Sequence, residues 1–165
     1  MTATCYLGLG SNLGDPVAHL TSALSALEQH PAIRLINRSP FYGSKAIGPG
    51  TQPDFINAVI EVQTTLAPAP LLHALQAIEN QHGRERRLRW GARTLDIDIL
   101  LFDNQTISEP DLQIPHPRLS ERAFVLVPLQ KIAPDLQLPN GTSVASLLDY
   151  VSTDDVWLLQ FQDGV

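Results

Sequence analysis

The sequence predicts an α+β fold: a ferredoxin-like antiparallel sheet with packed helices and mobile loops around its site. Three observations carry this. The elements read strand, helix, strand, strand, helix, strand, which is the split βαβ order. "FINAVIEVQT" and "RTLDIDILLF" alternate with a period of two, as strands do. Val17, Leu20, Leu24 and Leu27 recur at helical spacing, as do Leu71, Leu75, Ile78 and His82. Such a sheet is expected to carry its helices on one face and leave the other for a site.

"CYLGLG" opens the chain as a short strand and "SNLG" turns it. Asp15 is placed to cap a helix that starts at Pro16 and runs to about residue 29, because a short acceptor side chain followed by proline suits a first helical turn. "IRLINRSPFY" reads as a strand ending near Pro40, and "GSKAIGPGTQPD" as a mobile loop rich in glycine and proline. In "FINAVIEVQT", Ile56, Ala58, Ile60 and Val62 share one face, with Phe55, Asn57, Val59 and Glu61 on the other. The second helix is expected to open at Pro70 and stop at Gly83. In the next strand Thr94, Asp96 and Asp98 share one face, and Leu95, Ile97, Ile99 and Leu101 the other. "PHPRLSERAFVLVPLQKIAP" is broken by prolines and predicts short helical turns. "SVASLLDYV" and "DVWLLQF" predict a last helix and strand, with Trp157, like Cys5, in the core.

With 165 residues, 44% of them hydrophobic, the chain can bury a sizeable core, and one domain over residues 1–165 is expected. The formal charge of −6 speaks against general nucleic-acid binding. One cysteine excludes an internal disulfide and fits a reducing compartment. No basic leader with an apolar run is visible, and no stretch approaches the ~18 apolar residues of a membrane span. A cytoplasmic monomer without membrane or nucleic-acid partners is expected.

Two acids inside a buried-strand pattern need a reason. Carboxylates two apart on a strand point the same way and suit Mg²⁺, which takes oxygen ligands from one or two carboxylates plus substrate phosphates. The alternative is a solvent-facing strand that tolerates acids. Just upstream, "RERRLRWGAR" packs Arg84, Arg86, Arg87, Arg89 and Arg93, whose guanidiniums donate paired hydrogen bonds to phosphate. Phosphoryl transfer needs such neighbours, since positioning and charge neutralisation do most of its catalytic work. "GLGSNLGD" misses the dinucleotide fingerprint by one residue, and no GxxxxGK[ST] loop occurs, so a nucleotide would be held otherwise. In "PHPRLSERAF", His116 and Arg122 are candidate phosphate donors. Phe55 and Phe124 read as core residues or as walls of a slot for a flat heterocycle. His19, His30 and His73 show no metal-ligand spacing.

Taken together, "YLGLGSNLGD", "FYGSKAIGPGTQPDFINAV", "RWGARTLDIDILLF" and "IPHPRLSERAFVLVPL" resemble the 6-hydroxymethyl-7,8-dihydropterin pyrophosphokinases of folate biosynthesis, from residue 6 to about 139. The resemblance implies transfer of the pyrophosphoryl group of ATP to the pterin hydroxymethyl, giving AMP. It implies that Asp96 and Asp98 hold two Mg²⁺ ions with ATP and that Arg84 and Arg93 neutralise the transferred group. Gln76, Glu79, Trp90, Ile99, His116 and Arg122 would join Arg84 and Arg93 around ATP. Ser44, Lys45, Ile47, Phe55, Asn57, Trp90, Asp96 and Phe124 would form the pterin site, the two phenylalanines sandwiching the ring. Phe55 stands where some members have tyrosine, and Asp111 where an arginine can contact ATP. Two other readings remain at this point: another Mg²⁺-dependent nucleotidyl- or phosphotransferase, and a non-catalytic nucleic-acid module on the same fold. The second would want a basic surface, which the charge does not supply.

Overall fold

The computed structural model describes residues 2–45, 53–82 and 94–159. β1 (Ala3–Ser11) leads into α1 (Pro16–Gln29), β2 (Ile33–Arg38), β3 (Tyr42–Ser44) and β4 (Phe55–Thr64). α2 (Pro68–Gln81) and β5 (Asp96–Phe102) follow, then a hairpin of β6 (Ile107–Glu109) and β7 (Leu112–Ile114). A 3₁₀ turn (Leu119–Glu121), α3 (Ala123–Ile132), α4 (Val144–Leu148) and β8 (Val156–Leu158) complete the described chain.

The main sheet has the order β5-β1-β4-β3-β8, with β2 also pairing β4, and every pairing is antiparallel. Its centre is the ferredoxin-like order; β8 is an addition at the edge. The predicted strand ending near Pro40 stops at Arg38, and a second one resumes at Tyr42. The break falls at Ser39 and Pro40, where proline cannot donate to a ladder. Gly43 and Ser44, expected in a loop, therefore lie on a strand.

Alternation on β1 decides the layers. Cys5, Leu7 and Leu9 point to the face covered by α1 and α2, where they meet Leu20, Leu24, Leu71, Leu75, Ile60, Val62, Ile97 and Ile99. Asp15 caps α1 as expected, its carboxylate accepting from the Ala18 N–H at 3.2 Å. α2 opens two residues before the predicted start, at Pro68, whose missing N–H costs nothing in a first turn. Cys5 is fully buried, and burial, with the Asp103 charge adding, pushes its thiol up to about 12. A thiol held protonated and out of solvent is a poor nucleophile. Ellman's reagent is therefore expected to titrate no thiol in the native protein and one in denaturant; rapid native labelling would contradict this packing.

The expectation of helices on one face needs correction. α3 and α4 cover part of the second face, packing Val125, Leu126, Leu129 and Val144 on Val59, Leu100 and Leu101. α3 also corrects the prediction of short turns, because it runs ten residues through Pro128. An internal proline costs about 3 kcal/mol. Leu126 and Leu129, both wholly buried, each gain about 1.5–3 kcal/mol, so packing outweighs the local break. Leu101 also departs from its predicted face. The β1–β5 register shifts between Tyr6 and Leu7, leaving Leu100 as an extra residue. That bulge re-phases the strand: Ile97 and Ile99 stay in the first core, while Leu100 and Leu101 join the second. Trp157, predicted in the core, is 38% exposed on edge strand β8. Among the described residues no helix is long and apolar enough to cross a membrane.

Candidate active site

Where α3 stops covering the second face, the sheet opens into a cavity of about 480 Å³. Its floor follows from register. Gly10 lies between Asn57 on β4 and Asp96 on β5, and one step along, Gly8 lies between Val59 and Asp98. Residues in register share a face, so glycine leaves open ground between the amide and the carboxylates. A Cβ on Gly10 would stand 3.2 Å from the Asn57 Oδ1 and 3.7 Å from the Phe55 ring.

Asp96 and Asp98 both line this cavity and so share one face, as predicted. Nine of the candidate residues converge on it: Ser44, Lys45, Phe55, Asn57, Asp96, Asp98, His116, Arg122 and Phe124. Phe55 and Phe124 are half-buried on its walls. Asn57 is held by its neighbour, its Nδ2 donating to Ser44 Oγ at 2.7 Å, with both residues almost wholly buried.

Electrostatics divide the cavity. Arg122 sits at the start of α3, its Cζ 5.5 Å from the Phe124 ring centroid, a cation–π contact that ties the charged end to the aromatic one. Burial lowers its pKa, with the Arg118 charge adding and the Asp98, Glu121 and Asp96 charges opposing; arginine's high intrinsic pKa keeps the guanidinium protonated. His116 Nε2 lies 3.9 Å from Asp98 Oδ2, in contact but beyond hydrogen-bond reach. Burial first, then the Arg122 and Arg118 charges, pull its pKa down to about 4, so the imidazole is neutral at working pH. Its Nδ1 accepts from the Arg118 N–H at 3.2 Å. The remaining proton is then on Nε2, the nitrogen that faces Asp98.

Three expected ATP contacts lie outside the cavity. Gln76 and Glu79 are on α2, and the Ile99 side chain is in the first core. Glu79, 5% exposed, accepts the Ile97 N–H at 2.8 Å, so that amide points away from β1 to the sheet's outer edge. Antiparallel pairing alternates, which turns the Ile99 amide and carbonyl to the same edge. Ile99 can therefore offer a ligand its backbone and not its side chain. Ile47, Arg84, Trp90 and Arg93, with Arg86, Arg87 and Arg89, lie outside the described residues.

The cavity also has walls outside the predicted site, Gly8, Gly10, Glu121, Ser152, Asp155 and Val156, with Arg118 of the "PHPRLSERAF" motif beside them. The glycines were legible, since "GLG" alternates in phase with the aspartates once the strands are paired. The residues at 152–156 carry no motif.

A family model described as 7,8-dihydro-6-hydroxymethylpterin-pyrophosphokinase (HPPK) matches residues 6–134. The 2-amino-4-hydroxy-6-hydroxymethyldihydropteridine pyrophosphokinase of Pseudomonas aeruginosa is 51% identical over 148 residues, covering 90% of this chain and 91% of its own. Its counterpart in Haemophilus influenzae is 50% identical over 145 residues, covering 88% and 91%. Among solved structures, a Plasmodium falciparum HPPK-DHPS has the same fold, with a TM-score of 0.71 at 15% identity. The match covers 91% of this chain and 44% of that one, so the present chain spans less than half the length of that solved protein. Family model and relatives agree: the chain belongs to the 7,8-dihydro-6-hydroxymethylpterin-pyrophosphokinase family.

Proposed function

We propose that this chain, acting as one domain over residues 1–165, transfers the pyrophosphoryl group of ATP to the hydroxymethyl of 6-hydroxymethyl-7,8-dihydropterin in folate biosynthesis. The products are AMP and the pterin diphosphate. One observation carries the reading: Phe55, Phe124 and the buried Asn57 amide line the same cavity as two carboxylates, a neutral imidazole and a guanidinium. The names of the relatives supply the acceptor, a hydroxymethyldihydropteridine. A pterin ring fits between Phe55 and Phe124, with Asn57 meeting its hydrogen-bonding edge and Ser44 and Lys45 beside it. That pose turns the hydroxymethyl toward Asp96.

The donor set fits Mg²⁺. Asp96 and Asp98 are hard oxygen ligands on one face, and Asp98's side chain is 45% exposed to the cavity. Among the described residues no group of three or more His, Cys, Asp or Glu side chains is placed to hold a metal. An ion here would complete its shell with phosphate oxygens and water, and the reading takes two ions arriving with ATP. Bound Mg²⁺ would neutralise the phosphates and lower the pKa of the attacking hydroxyl.

The chain's own residues do the rest. Arg122 and the Nε2–H of His116 reach toward the phosphates from the α3 side, and Arg84 and Arg93 are assigned to the transferred group. Glu79 anchors β5 between its two aspartates, and the outward backbone of Ile99 is available to the adenine. Holding donor and acceptor in line supplies much of the rate. The hydroxyl oxygen bonds to the β-phosphorus as the bond from that phosphorus to the oxygen bridging to the α-phosphorus breaks. AMP leaves and the hydroxyl proton is released; no enzyme-bound intermediate is needed. The reading includes a cytoplasmic monomer, and the net charge of −6 supports the absence of a nucleic-acid partner.

Chromatography of a mixture of the protein, ATP, Mg²⁺ and the hydroxymethyl pterin is expected to show AMP and pterin diphosphate in equal amounts. ADP would indicate an ordinary kinase and free pyrophosphate a nucleotidyltransferase, and either would overturn the proposal.

A further inference from the structure

β8 lies beyond the residues matched by the family model, yet Ser152, Asp155 and Val156 wall the cavity at its aromatic end. Among the described residues it is joined to the sheet through β3, pairing Tyr42 with Leu158, Gly43 with Trp157 and Ser44 with Val156. The ladder runs on to Lys45, whose N–H donates to the Asp155 carbonyl at 3.2 Å. The Trp157 indole lies across Gly43 so closely that a Cβ there would overlap the ring. Glycine is thus required at 43 by close approach rather than by backbone conformation.

β3 is only three residues long, and so short a strand is weakly held by one neighbour. On its other side it carries Ser44, whose hydroxyl accepts the Asn57 amide at 2.7 Å. Indole, glycine, serine and asparagine therefore form one chain of contacts from the sheet edge to the cavity floor. We propose that Trp157 is a positioning residue for the heterocycle end of the site: by seating β3 through Gly43 it fixes Ser44, and through Ser44 the orientation of the Asn57 amide. The inference rests on the reading of this cavity as a pterin site. It adds a contribution from a part of the chain that the family model does not match. Trp157 does not touch the ligand in this account; Asn57 does. The carboxylates, on β5, are outside this chain of contacts, so the effect is expected to fall mainly on one substrate.

The test measures pterin affinity by calorimetry, together with kcat and both KM values, on the full chain. Trp157→Ala is expected to raise the pterin Kd and KM about five- to tenfold, the scale of one misplaced hydrogen bond, while the KM for ATP stays within about twofold. Trp157→Phe keeps a flat ring over Gly43 and is expected to restore pterin affinity. Gly43→Ala, whose added methyl must push β3 and the indole apart, reaches the same point from the other side and should show the same selective loss; it decides the matter if Trp157→Ala does not fold. In a Ser44→Ala background Trp157→Ala should add little, because the residue it acts through is gone. Unchanged pterin affinity in Trp157→Ala or Gly43→Ala, or equal rises in both KM values, would overturn the inference. Wild-type protein that binds no pterin would overturn instead the reading of the cavity on which it rests.

Discussion

Asp98→Ala is expected to lower kcat/KM by about 10³-fold, in line with removing a preorganised electrostatic group from a phosphoryl-transfer site. The argument is local. Asp98 projects from β5 into the cavity opposite Gly8, which has no side chain to lose as a partner. Its carboxylate also sits two residues from that of Asp96, so without a cation the pair repels itself. The fold should tolerate the change: a partly exposed carboxylate contributes no core packing, and its removal is expected to shift stability by no more than about 0.5 kcal/mol. Turnover at saturating Mg²⁺ and the thermal midpoint, measured on the same sample, separate the two effects. Wild-type turnover with ordinary Mg²⁺ dependence in the variant would end the metal-binding assignment of Asp98.

Phe124→Leu is expected to weaken pterin binding by about 10- to 100-fold, on the scale of 1–3 kcal/mol for stacking a flat base on an aromatic ring. Leucine is the informative replacement. Phe124 also packs against the second core cluster, so truncation to alanine would mix lost stacking with a cavity beneath α3. Leucine keeps apolar contact there and removes only the face of the ring. It removes as well the surface against which Arg122 rests, so a smaller loss of ATP affinity is expected alongside. Calorimetric titration with the pterin alone reads the stacking term; unaltered affinity would take Phe124 out of the slot.

Much of this site was legible because its residues repeat in phase with their elements. Asp96 and Asp98 stood out as acids in an apolar strand, and Asp15 and Pro16 announced a helix start that the structure confirms. Asn57 and Phe55 were assigned to the correct face by alternation alone. What escaped had a common cause: the deciding contact lay far away in sequence. "ILLF" reads the same in either phase, so the extra residue at Leu100 is visible only against β1. Pro128 looks like a helix stop until Leu126 and Leu129 are seen to be fully buried. Strands of three residues, as in β3, β6 and β7, are too short for periodicity to register. The wall at 152–156 depends on β3 and β8 meeting across more than a hundred residues of chain.

The bulge at Leu100 separates two duties along a single strand. Upstream of it, side chains on the inner cavity side are charged and answer to a ligand; downstream, the same side is greasy and answers to the seat of α3. Without the extra residue, Leu101 would turn toward α1 and α2 and leave α3 with less to rest on. One surplus amino acid thus allows a reactive surface and a structural one to lie end to end, so that mutation can tune either half without disturbing its neighbour.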